Sequence, residues 1–71
     1  MNIDDAVAEW KGKKRRMGCV SASNWFCKRV PGFYPIRFKY LMLDGRYMEH
    51  VIASDGVISI DLAPYANIPE D

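Results

Sequence analysis

One histidine, His50, and two cysteines, Cys19 and Cys27, are the residues here whose types permit nucleophilic or proton-transfer chemistry. Cys19 stands in GCVSASNWFCKRV, where the apolar spacing turns helical. A thiolate attacks carbonyl carbon, and a helix N-terminus beside an imidazolium favours the thiolate. Backbone N–H groups at such a helix start, that of Cys19 included, are natural donors to an oxyanion, and Asn24 is the nearest polar amide. His50 lies in RYMEHVIAS and Asp61 in VISIDL, separated by Asp55-Gly56. A two-residue loop there faces Ser54 with Val57 and sets His50 directly opposite Asp61, with Cβ atoms ~4.5–5.5 Å apart. The carboxylate would then hold the ring and stabilise its protonated form. Cys19, His50 and Asp61 are thus the candidate triad. Cys27 is deep in the same helix, where a rise of ~12 Å from Cys19 rules out a disulfide between them. One histidine and two cysteines eight apart make no recognisable zinc site, so neither metal nor cofactor is implied.

The elements that must position these residues are legible in the spacing. Asp4 and Asp5 suit the cap and first turn of a short helix over Asp5 to Lys11, with Gly12 ending it in a left-handed conformation. Residues 12 to 17 read as a basic linker. Cys19, Ala22, Phe26 and Val30 share one face of a helix over residues 18 to 29, which Pro31 and Gly32 stop. IRFKYLML alternates as a strand, Asp44-Gly45 is a hairpin turn, and two more strands follow around Asp55-Gly56. Pro64 ends the last strand, and the tail YANIPED reads as loop. The expected fold is α+β, two helices followed by a three-stranded antiparallel meander in one small domain.

In this register the face bearing Ile36, Phe38, Tyr40, Val51, Ile58 and Ile60 is more apolar than the face bearing Arg37, Lys39, Met48, His50, Ile52 and Asp61. The triad requires the Cys19 helix to cover the second face, through Leu41, Met48 and Ile52. The first face would need the N-terminal helix, a loop or another subunit, which makes a homo-oligomer an expectation.

A cysteine opening a helix, then a strand with histidine, an Asp-Gly turn and a strand ending in aspartate before proline resembles the core of papain-like and transglutaminase-like thiol enzymes. The segment EHVIASDGVISIDLAP carries the resemblance most closely, and its order and spacing extend from Gly18 to Pro64. The resemblance implies Cys19 as nucleophile, His50 as general base and acid, and Asp61 as the group that orients His50. It implies peptide, amide or thioester substrates, and hydrolysis or acyl transfer. The aromatic that often stands two residues after such a histidine is replaced by Ile52.

Composition bounds the alternatives. At 71 residues with 49% apolar content, the chain is too hydrophobic for disorder yet has only a marginal core. No apolar run approaches the ~18 residues that span a bilayer, and the acidic N-terminus lacks a secretory pattern, so a cytoplasmic protein without membrane contact is expected. The net charge of +1 hides an asymmetry: all ten Lys and Arg lie between Lys11 and Arg46. Lys13, Lys14, Arg15 and Arg16 give a local positive field. The rival reading is a binding module in which this segment, with Trp25, Phe33 and Tyr34, meets nucleic acid or an acidic protein.

Overall fold

The computed structural model describes residues 1–68; the last three residues of the expected tail loop lie outside the described residues. The chain forms helix α1 (Ile3–Lys11), helix α2 (Cys19–Arg29), strands β1 (Tyr34–Leu41), β2 (Tyr47–Ser54) and β3 (Ser59–Ile60), and a 3₁₀ turn (Ala63–Tyr65). The sheet is antiparallel, in the order β1-β2-β3. This is the expected α+β arrangement.

Helix α1 starts two residues earlier than the acidic pair suggests, because the Asn2 side chain caps it by accepting from Asp5 N at 2.8 Å. Asp4 and Asp5 occupy the first turn, beside the free N–H groups. Gly12 ends the helix at φ −81°, right-handed rather than left-handed. Its N–H reaches the Ala8 and Glu9 carbonyls without a positive φ. Both helices pack on one side of the sheet. Ala6 and Trp10 of α1, Ala22, Phe26 and Val30 around α2, Ala53 of β2 and Leu62 form one buried cluster.

Both hairpins depart from the expected two-residue Asp-Gly loops, and the two departures act differently. In the first, Met42 N–H bonds the Arg46 carbonyl at 2.7 Å across a three-residue loop, with Gly45 at φ +89°. Asp44 braces the loop by accepting from Arg46 N and Arg46 Nε. That extra residue shifts the β1–β2 register by one, so Phe38 faces His50 and Arg37 faces Val51. A one-residue shift exchanges faces. Ile36, Phe38 and Tyr40 therefore share the His50 face, and Arg37 and Lys39 share the Val51 face, opposite to expectation.

The second hairpin pairs Ser54 with Ser59 and Ala53 with Ile60, two residues out from the expected register. An even shift keeps the faces, so Asp61 remains on the His50 side but lies diagonally from it. The turn is moved one residue along, with Asp55 N–H bonding the Ile58 carbonyl at 3.2 Å around Gly56-Val57. Asp55 braces it: its Oδ1 accepts from Val57 N at 2.9 Å and Ile58 N at 2.7 Å, while Gly56 turns at φ +96°. Those N–H bonds hold the Asp55 carboxyl below the usual range. A depressed native pKa contributes stability above the unfolded value of about 3.9, and that stability is lost as pH falls through the folded value. Asp55→Ala will therefore lower the melting temperature at pH 6, and the difference from wild type will shrink at pH 2, as read by thermal melts.

Candidate active site

The two helices cover the face of Val51 and Ala53, not that of His50. Ala53 lies in the cluster with Ala22 and Phe26, and Val51 is likewise buried. Strand alternation then sends His50 out on the other face. The expectation that α2 rests on Leu41, Met48 and Ile52 of the His50 face is thus corrected.

The His50–Asp61 pair nevertheless forms. His50 Nε2 lies 2.7 Å from Asp61 Oδ2. Because the carboxylate only accepts, Nε2 carries a proton, and in the neutral ring this leaves Nδ1 as the basic nitrogen. Asp61 is itself fixed, since its other oxygen accepts from Ala63 N at 3.0 Å as the chain leaves β3 for the 3₁₀ turn. His50 is mostly covered, with 22% of its side chain exposed, and its ring meets the Phe38 ring nearly edge-on at 5.6 Å. Diagonal neighbours in a sheet are within reach of such side chains, so the pair survives the altered register.

Cys19 is the first residue of α2 and is half-buried. Helix α2 has neither a side-chain cap nor an acid in its first turn. Its first internal bond, Ala22 N–H to Gly18 O, leaves the Cys19 and Val20 N–H groups outside the helical ladder. One hydrogen bond locates this helix mouth. The hairpin bond at Met42 and Arg46 makes Arg37↔Val51 a non-bonded pair, whose Val51 carbonyl points away from β1. β3 ends before it can use that carbonyl, and Ser23 Oγ donates to it instead at 3.1 Å, in a buried position. Phe26 packs further along with Ala53, so α2 runs in the direction of β2. Cys19 is one turn, ~6 Å, behind Ser23 on the same helix. Because α2 lies over the Val51 face and His50 projects from the other, the sheet stands between the helix mouth and the His50–Asp61 pair, and the expected Cys19–His50–Asp61 triad is not assembled. No hydrogen bond joins the Cys19 thiol to His50.

The remaining sequence candidates part company. Asn24 is exposed in the second turn of α2, ~140° around the helix from Cys19, and has no place at the mouth. Arg16 is not a free anion-binding group: its Nε donates to the Tyr65 carbonyl at 2.6 Å and its Nη1 to the carbonyls of Lys13 and Lys11. Asn67 completes this tie, accepting from Arg16 N and donating to the Lys14 carbonyl. Lys13 lies over the Trp25 ring at 5.6 Å, and Arg29 covers the same ring at 4.3 Å. Trp25 packs on Trp10 and Phe33 edge-on to Phe26, so neither is an open stacking platform for bases. Lys14 and Arg15 remain exposed. The Arg16–Asn67 tie spans 51 residues in sequence, and no local pattern announces it.

Cys27 behaves as a core residue. Burial pushes its thiol pKa up, so in the Cys19→Ser variant Cys27 will be alkylated by iodoacetamide at least tenfold more slowly in folded than in urea-unfolded protein at pH 8. Comparison with protein-family models, curated proteins and solved structures found no match for this chain. Among the described residues no helix is long and apolar enough to cross a membrane.

Proposed function

We propose that the chain is a minimal thiol hydrolase or acyltransferase acting on amide, peptide or thioester carbonyls. The observation that supports this most is the 2.7 Å His50–Asp61 contact, in a chain whose α2 opens with Cys19. The Cys19 thiol gives its proton to His50 Nδ1 as Sγ bonds the carbonyl carbon, and the carbonyl electron pair moves to oxygen. Cys19 and Val20 N–H groups at the uncapped helix mouth are the donors suited to that oxyanion. When the oxyanion collapses, the leaving amine or thiol departs with the proton from His50. Water, or an acceptor amine, then attacks the thioester on Cys19 with His50 again taking its proton. Asp61 touches no substrate; it is a positioning residue that keeps the Nε2–H tautomer. This transfer requires the Cys19 thiol and the His50 ring, which stand on opposite faces of β2, to meet around the strand margin beside short β3.

p-Nitrophenyl acetate tests this reading. Acetyl transfer to Cys19 Sγ, with release of p-nitrophenolate, should outpace the reaction of Cys27 in the same molecule and of free cysteine, as followed by absorbance and peptide mass. Labelling of Cys19 no faster than free cysteine, or unchanged by His50→Ala, overturns it.

A further inference from the structure

Strand β1 is an eight-residue edge strand with β2 on one side and, among the described residues, no strand on the other. The bonded hairpin pair Met42–Arg46 sets the phase of the ladder. Alternation turns the backbone groups of residues 34, 36, 38 and 40 towards β2 and those of Arg37, Lys39 and Leu41 outwards. Pro35 falls at an outward position, where its missing N–H leaves β2 undisturbed.

The two faces along this edge differ in chemistry. On one, Tyr34, Phe38 and Tyr40 are 48%, 38% and 44% exposed. On the other, Arg37 and Lys39 extend into solvent and share a single carboxylate, Glu49, at 3.3 and 3.8 Å. Two cations on one acid leave a positive charge unbalanced beside a row of unused backbone donors and acceptors.

We propose that the outer edge of β1 binds an extended acidic peptide as a fourth strand. Main-chain hydrogen bonds would supply affinity, and alternate side chains the selectivity. Apolar residues of the peptide lie over Tyr34, Phe38 and Tyr40, and its acidic residues alternate onto the Arg37 and Lys39 side. Charge argues against a second copy as occupant. Antiparallel β1–β1 pairings that use most of the strand set Arg37 and Lys39 opposite or diagonal to the same cations, which is unfavourable. The peptide would run two strand spacings, ~10 Å, from the backbone of His50, so this is a docking edge that does not depend on the thiol reading.

The test is an NMR titration of the ¹⁵N-labelled protein with a blocked octapeptide alternating glutamate and valine. The expected result is that Arg37, Lys39 and Leu41 amides shift and exchange at least tenfold more slowly, while a lysine–valine octapeptide binds at least tenfold more weakly. The double variant Arg37→Glu, Lys39→Glu should reverse the preference. Should that variant fail to fold, Lys39→Gln reads the same change at smaller amplitude. The proposal is overturned if those amides do not respond, if both peptides bind equally, or if the amides are already protected in a dimer seen by sedimentation.

Discussion

Cys19→Ser will leave the protein folded and abolish acetyl uptake from p-nitrophenyl acetate at position 19, and His50→Ala will slow it by about 10²–10⁴-fold, the usual worth of a positioned general base. The serine is nearly isosteric at a half-buried helix start, so circular dichroism should be unchanged. Asp61→Asn tests the positioning role separately. Asp61 Oδ2 accepts from His50 while Oδ1 holds the Ala63 N–H, so the amide can keep one bond but favours the wrong tautomer through the other. Its effect should appear as a fall in acetylation rate with little change in melting temperature. If Asp61 acts only through the ring, His50→Ala with Asp61→Ala will be no slower than His50→Ala alone. Independent losses in that double variant would disconnect Asp61 from the reaction.

The largest effect on stability will come from Phe26→Ala, expected to cost about 3–5 kcal/mol. Phe26 is the largest side chain with no exposure, and its ring packs edge-on against Phe33 at 5.1 Å. It joins α2 to Ala53 of the sheet and to Trp10 of α1 through the single buried cluster. A chain of 71 residues has on the order of 4–10 kcal/mol of total stability, so this one truncation removes about a third of it at the least. Urea denaturation should show the midpoint falling in proportion to that loss. A loss under 1 kcal/mol would mean that the helix–sheet junction does not hold the domain together. Because α2 carries both Phe26 and Cys19, the variant should also lose acetylation wherever it is unfolded.

The elements themselves were legible from local physics. The helical spacing of Cys19, Ala22, Phe26 and Val30 places α2 within a residue of its observed start. The two Asp-Gly pairs mark both hairpins, and both glycines adopt positive φ. The near approach of His50 and Asp61 was also legible, although by a route that the structure changes. Turn arithmetic assumed two-residue loops centred on Asp-Gly, whereas Asp44 and Asp55 each fold their carboxylates back onto backbone N–H groups, in a first loop one residue longer and a second moved one residue along. Those bonds compete with the tight turn at little energetic difference, and composition alone does not rank them. The second error was even, so it preserved the face of Asp61. The first was odd, and it exchanged the apolar and basic faces of β1.

What the amino-acid order determined is the inventory and sequence of elements, because periodicity, caps and turn residues act within a few positions of themselves. What only the tertiary structure decided is which face of the sheet α2 covers, that Ser23 takes the Val51 carbonyl, and that Arg16 is spent on Asn67 and Tyr65. These depend on contacts between residues 28 to 51 apart in the chain. One residue of loop length, or one carbonyl left open by a strand that stops at Ile60, redirects such contacts without changing any local preference.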